Sequence, residues 1–101
     1  MSTRLTVRTK HNPDGGLVVY AAGEIDASNV ADFAKALACT NGGTLTVDLS
    51  AVEYLDSAGI NALVPHTDAL HVIANPLLLR VLRVSGLDEL ATVEPAPPSS
   101  S

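Results

Sequence analysis

The sequence is poor in cysteine, in aromatic residues and in positively charged residues. Its single cysteine, Cys39, excludes an intrachain disulfide and any zinc or iron–sulfur site built from several cysteines. Aromatic residues make up 3% of the 101 residues, so the chain has no platform on which nucleic acid bases could stack. Six Lys and Arg stand against eleven Asp and Glu, a net charge of −5. Because nucleic acids and anionic membranes both attract clustered cations, we predict neither as a partner.

Long apolar segments are also missing. The longest apolar run, residues 17–22, is far shorter than the roughly 18 residues that a membrane-spanning helix needs. Residues 1–5 have no apolar stretch behind their charge, so no signal peptide is visible. We therefore expect a soluble, cytoplasmic protein. In that reducing compartment Cys39 is expected to be a small residue of the core.

The composition predicts one folded domain. Hydrophobic residues make up 47% of the chain, and the mean hydropathy is +0.27, which excludes global disorder. A length of 101 residues suits one domain. We assign residues 1–94 to this domain. Residues 95–101 are rich in proline and serine, and we predict a disordered tail there.

The spacing of apolar residues predicts the element order β-β-α-β-α-β-α, with a further edge strand near residues 91–93. Residues 5–8 and 17–25 are typical of a hairpin with a turn at residues 14–16. The uninterrupted apolar run at 17–22 favours a strand covered on both faces. Alternation over residues 44–50 predicts a strand, and residues 70–74 predict another. This order predicts an α/β fold with a mixed sheet of four to five strands.

Helical spacing is found in three segments of the sequence. Residues 30–37 form the first, and a second begins near Ser57 and is expected to be short because Pro65 disfavours helical geometry before it. The third begins after Asn75 and ends near Gly86, a residue type that commonly follows a helix end.

A serine nucleophile is the first enzymatic hypothesis that the sequence allows. Ser57 stands where a strand turns into a helix, as the nucleophile of a Gly-x-Ser-x-Gly elbow does. That motif requires glycine two residues before the serine, where Leu55 stands. His66 or His71 could serve as a base, but nothing nearby in sequence orients either ring. We therefore predict that the protein is not an enzyme and has no catalytic residues.

A metal site is the second hypothesis. His66, Asp68 and His71 have a spacing that matches no pair of ligands on one helix face. The chain also has no Gly-x-x-x-x-Gly-Lys-Ser/Thr loop for phosphate groups. We predict no metal and no cofactor.

Ser57 has two compatible interpretations. Either Asp56 or Ser57 can cap the following helix by accepting hydrogen bonds from its first amides. The same position suits a phosphate. No Lys or Arg occurs between Lys35 and Arg80, so a phosphate on Ser57 adds about −1.5 to −2 charges beside Asp56 with no cation near in sequence. This pattern indicates a modification that repels a partner.

The segment 47–60, Val-Asp-Leu-Ser-Ala-Val-Glu-Tyr-Leu-Asp-Ser-Ala-Gly-Ile, resembles the signature of STAS domains, in particular bacterial anti-sigma factor antagonists. Gly-Glu-Ile-Asp at 23–26 resembles the end of the family's second strand, and residues 81–87 resemble the end of a later helix. The resemblance implies a sheet with helices mainly on one face and no catalytic activity.

The resemblance also implies a function. Members of this type bind an anti-sigma factor that is a serine kinase, which releases the sigma factor. The kinase phosphorylates the serine matching Ser57 and switches binding off, and a PP2C-type phosphatase restores it. The implied partner-binding residues are Asp26, Asp56, Ser57, Ala58 and Gly59. Two alternatives stay open: a constitutive STAS subunit of a transport or signalling complex without phospho-control, and a nucleotide-binding or hydrolytic protein.

Overall fold

The computed structural model describes residues 4–40 and 42–97. Within these residues five strands form one sheet, joined by four α-helices and one 3-10 helix. The strands are β1 (Thr6–His11), β2 (Leu17–Ile25), β3 (Leu45–Leu55), β4 (Leu70–Ala74) and β5 (Thr92–Pro95). The helices are α1 (Val30–Leu37), α2 (Ser57–Leu63), α3 (Pro76–Val84) and α4 (Leu87–Leu90), and the 3-10 helix is Val64–Ala69. None of these described helices is both long enough and apolar enough to cross a membrane.

The strands lie side by side in the order of the sequence. β1 runs antiparallel to β2, as expected for the predicted hairpin. β2, β3, β4 and β5 run parallel to one another. The predicted α/β class and mixed sheet are therefore confirmed. Since parallel neighbours end at the same edge of a sheet, the residues after β2, β3 and β4 lie along one edge.

The core lies on one face of the sheet. Val19, Val47 and Val72 point into it from three neighbouring strands and are fully buried, and helix residues such as Phe33 and Leu63 cover them. The other face is open to solvent to a greater degree, since burial along β2 alternates between buried and half-buried residues. The expectation that both faces of this strand are covered is wrong, whereas helices mainly on one face are confirmed.

β3 extends five residues beyond Ser50, the end of the alternating pattern that predicted it. Beyond Ser50 it continues to pair with β2, with Ala51 opposite Ala22 and Leu55 opposite Ile25. Two register shifts interrupt this pairing, so the buried residues of β3 change from every second to every third position. Such irregularities break the period of two on which the prediction of a strand depends.

The α2 region agrees with the prediction of a short helix. α2 ends at Leu63, and the chain continues as the 3-10 helix that contains Pro65. Gly86 follows α3 with φ of 84°, a left-handed conformation that suits glycine after a helix end.

Cys39 is exposed, so the expectation that it belongs to the core is wrong. The apolar stripe of α1 ends with Leu37, which is fully buried, and Cys39 follows beyond the helix end.

The predicted tail begins inside an ordered strand. Pro95 is the last residue of β5, and the Ala96 amide donates a hydrogen bond of 2.8 Å to the Ala74 carbonyl. The domain boundary placed after residue 94 therefore moves to residue 96 at the earliest. Residues 98–101 of the predicted tail lie outside the described residues.

Candidate functional site

Two strand-to-helix junctions lie next to each other at the carboxyl edge of the sheet. Ile25 and Leu55, the last residues of β2 and β3, are partners across the sheet. The Asp56 amide also donates a hydrogen bond of 3.2 Å to the Ile25 carbonyl. Asp26 and Asp56 follow these paired residues directly, so the fold brings the two predicted site carboxylates to the same edge.

Asp56 is the cap of α2. Its extended backbone leads into the helix, and its carboxylate Oδ1 accepts hydrogen bonds from the amides of Ala58 at 2.9 Å and Gly59 at 3.3 Å. Of the two capping residues that the sequence left open, the structure therefore selects Asp56.

Ser57 is the first residue of α2 and is exposed. Its hydroxyl makes no hydrogen bond within the described residues, because the first amides of the helix are already bound by Asp56. The hydroxyl of Ser57 is therefore accessible to another molecule.

Gly59 is buried beneath this surface, unlike the half-buried Ala58. A Cβ added at Gly59 would collide with Leu55 Cδ1 and lie 3.0 Å from Ile25 Cγ2. The absence of a side chain lets α2 approach the ends of β2 and β3 closely. Gly59 thus positions the helix, which corrects the expectation that it forms part of the contact surface.

Asp26 is held by the turn that follows it. The Ser28 hydroxyl and amide donate hydrogen bonds of 2.5 and 2.9 Å to its Oδ1. The hydrogen bond from the Ser28 hydroxyl, followed by that from its amide, lowers the pKa of Asp26 below its usual value. Asn29 completes the turn, since its Oδ1 accepts from the Asp26 amide at 3.0 Å and its Nδ2 donates to the Glu24 carbonyl at 2.9 Å.

Neither Ser28 nor Asn29 was assigned to the site from the sequence. The signal that could have found them is the Asp-x-Ser pattern at 26–28, because a hydroxyl or amide two residues after Asp commonly binds its carboxylate in a turn.

A depression of about 600 Å³ adjoins Asp26. It is lined by Arg4, Leu5, Glu24, Asp26, Ser28, Asn29 and Asp32. Arg4 is a cation that the sequence analysis did not place near the site, because it precedes β1 and is far from Asp26 in the sequence. In the described part of the chain, no Lys, Arg or His nitrogen lies within 4.0 Å of the Asp26 or Asp56 carboxylate. Neither carboxylate is therefore ion-paired among the described residues, although Arg4 lines the same depression as Asp26.

The three residues tested as metal ligands are not brought together. His66 and Asp68 lie in the 3-10 helix, whereas His71 lies in β4 and its Nε2 is 3.2 Å from Oε2 of Glu94. Among residues 4–40 and 42–97, no group of three His, Cys, Asp or Glu side chains is placed to hold a metal ion.

Comparison with known proteins identifies the family. The family model described as "Mlab, STAS domain" matches residues 9–93, which include both junctions of the site. The chain belongs to the STAS domain family. The resemblance seen in the segment 47–60 is thereby confirmed. Among curated proteins, none matches this STAS domain significantly.

Solved structures extend the comparison. An anti-sigma factor antagonist from Mycobacterium paratuberculosis is 27% identical, with a TM-score of 0.80 over 95% of this chain and 87% of its own. The anti-sigma factor antagonist SpoIIAA in its unphosphorylated form is 17% identical, with a TM-score of 0.68 over 92% and 90% of the two chains. An antisigma-factor antagonist STAS domain from Rhodobacter sphaeroides is 19% identical, with a TM-score of 0.54 over 70% and 86%. At these identities the latter two show the fold alone.

Proposed function

We propose that this STAS domain is an anti-sigma factor antagonist that binds an anti-sigma factor serine kinase and releases the sigma factor. The observation that carries the proposal is the exposed hydroxyl of Ser57, which has no hydrogen-bond partner among the described residues and directly follows the capping Asp56. The 27% identity to an anti-sigma factor antagonist over nearly the whole chain supports the same role. The proposal includes a cytoplasmic location and no catalytic activity of this chain.

Phosphorylation of Ser57 is proposed to switch binding off. A phosphate there adds about −1.5 to −2 charges at neutral pH. The amides of Ala58 and Gly59 are already bound by Asp56, so they are not free to receive it. The phosphate would therefore project from the surface beside Asp56, at the edge that also carries Asp26, and neither carboxylate is ion-paired within the described residues. It changes the charge of the contact surface while leaving the packing of α2 intact.

The contact surface in this proposal comprises Asp26, Asp56, Ser57 and Ala58. Gly59 contributes by holding α2 against Leu55. A PP2C-type phosphatase would remove the phosphate and restore binding. This arrangement needs Ser57 to be reachable by both enzymes, which its exposure supports.

The test combines mass measurement with titration. We expect incubation with ATP and the host's candidate anti-sigma kinases to add one phosphate, mapped to Ser57 and absent in Ser57→Ala. The matched control Ser85→Ala should still be phosphorylated on Ser57. Ser85 is not expected to be the acceptor, because its hydroxyl donates a hydrogen bond of 2.8 Å to the Leu82 carbonyl. Calorimetric titration should then show that the unphosphorylated chain and Ser57→Ala bind the kinase alike.

Phosphorylated protein should bind the kinase roughly 5- to 150-fold more weakly, which corresponds to about 1–3 kcal/mol of repulsion. Equal affinities of the two forms would overturn the switch and favour a constitutive STAS subunit. Absence of binding to any anti-sigma factor would overturn the antagonist function itself.

A further inference from the structure

The outer face of α3 carries apolar side chains that are exposed to solvent and lie outside the core. Leu77 is 72% exposed and Val84 is 79% exposed. Residues seven positions apart lie on the same face of a helix, so these two side chains form one row. The opposite face of α3 packs into the core through Leu78 and Leu82, which are buried. Leu77 and Val84 are therefore free to contact another molecule.

Two arginines accompany this row. Arg80 and Arg83 are both exposed on α3, and they are the only Lys or Arg residues after Lys35 in a chain of net charge −5. In the part of the chain that the structure describes, neither guanidinium is ion-paired with a carboxylate. We name Leu77, Arg80, Arg83 and Val84 the α3 surface. It is a basic and apolar patch on an acidic protein.

We propose that the α3 surface docks an acidic amphipathic helix of a partner protein. The apolar side chains of such a partner helix, spaced by a helical repeat, would pack against Leu77 and Val84. Carboxylates of the partner beside them would pair with Arg80 and Arg83. The inference is independent of Ser57 and goes beyond the antagonist function proposed above.

The charge of the α3 surface also distinguishes this partner from other occupants. If two copies packed these helices antiparallel, with Leu77 against Val84, the two Arg80 side chains would face each other near the centre and repel. Two arginines also give little attraction to anionic lipid, which the net charge of −5 opposes. An acidic amphipathic helix would both bury the row of Leu77 and Val84 and pair its carboxylates with the arginines.

The first experiment maps the contact. The full-length protein, labelled with ¹⁵N, is titrated with a synthetic helical peptide that has leucines on one face and glutamates beside them. A control peptide has each glutamate replaced by lysine. We expect amide shifts confined to α3 with the acidic peptide, weakening as salt rises, and none with the basic peptide.

Variants then test the two components of the surface. Arg80→Glu combined with Arg83→Glu should lose at least about tenfold in affinity for the acidic peptide and gain affinity for the basic one. Leu77→Ser combined with Val84→Ser should lose about tenfold for the acidic peptide. The control Leu90→Ser, at a side chain that is 60% exposed on α4, should leave binding unchanged. All changed positions are exposed, so we expect every variant to fold like the parent protein. Circular dichroism checks this.

Four outcomes would overturn the proposal. Equal shifts with both peptides would show that the α3 surface binds apolar helices without selecting for their charge. Shifts centred on α2 would place the contact elsewhere. Concentration-dependent dimerisation abolished by Leu77→Ser, or flotation with anionic vesicles abolished by the arginine variants, would assign the α3 surface to a second copy or to lipid.

Discussion

The Asp56 amide donates a hydrogen bond of 3.2 Å to the Ile25 carbonyl, and this bond ties together the two halves of the candidate site. It extends the β2–β3 pairing by one residue beyond the end of β3, to the last residue of β2. The consequence is that Asp56, which caps α2, and Asp26, which opens the turn before α1, have fixed relative positions. A partner that contacts both junctions therefore meets a preformed surface.

Substitutions at the helix start should separate capping from phosphorylation. Asp56→Ala removes the acceptor of two amide hydrogen bonds and should lower the free energy of unfolding by about 1 kcal/mol. Ser57→Ala removes a hydroxyl without a partner among the described residues and should change it by less than about 0.5 kcal/mol. Urea denaturation measures both, and equal losses in the two variants would contradict the assignment of the cap to Asp56.

Gly59→Ala should destabilise the protein, although alanine usually favours a helix over glycine. The added Cβ would collide with Leu55 Cδ1, so either the buried Leu55 side chain changes rotamer or α2 shifts outward, at a cost of about 1–3 kcal/mol. Asn61→Ala, at an exposed position of the same helix, is the control and should stay within about 0.5 kcal/mol. A stability of Gly59→Ala equal to or above that of the parent protein would show that the packing around Leu55 accommodates the added Cβ without strain, which contradicts this prediction.

Much of the fold can be predicted from local patterns. The bounds of β4 at residues 70–74 and of α1 at residues 30–37 follow from short, regular apolar periods. The second half of β3 could not be predicted this way, because two register shifts opposite residues 20–24 of β2 change its burial period. α4, only four residues long, is too short to show a period at all.

The candidate site was only partly predictable for a different reason. Asp56 and Ser57 are adjacent in sequence, so one motif identifies both. Arg4 comes near Asp26 only through pairing of β1 with β2, which no local pattern reports. The burial of Gly59 depends on side chains of two other elements, so its packing role is visible only in the structure.

The core face of β3 should tolerate change poorly. Val47 is fully buried, so Val47→Ala should lower the free energy of unfolding by about 1–3 kcal/mol. Val47→Thr should also destabilise, because it buries a hydroxyl without an evident partner. Thr46→Ala, on the half-exposed opposite face, is the control and should cost less than about 1 kcal/mol. Urea midpoints that rank Thr46→Ala as the most damaging would mean that the strand faces the other way.

Asp26 should titrate below the usual aspartate pKa of about 3.9, chiefly because the Ser28 hydroxyl donates to its carboxylate. A carboxyl with a pKa lower in the folded than in the unfolded protein stabilises the fold above the unfolded pKa, and this stabilisation is lost as the pH falls through the folded pKa. Ser28→Ala should therefore raise the pKa of Asp26 towards 3.9 and weaken this dependence on acid. Carboxyl ¹³C NMR titration measures the shift directly. Ser50→Ala is the matched control, since Ser50 makes the same contact with Asp48 and should leave the pKa of Asp26 unchanged. An identical Asp26 titration in Ser28→Ala and the parent protein would show that the turn does not hold this carboxylate.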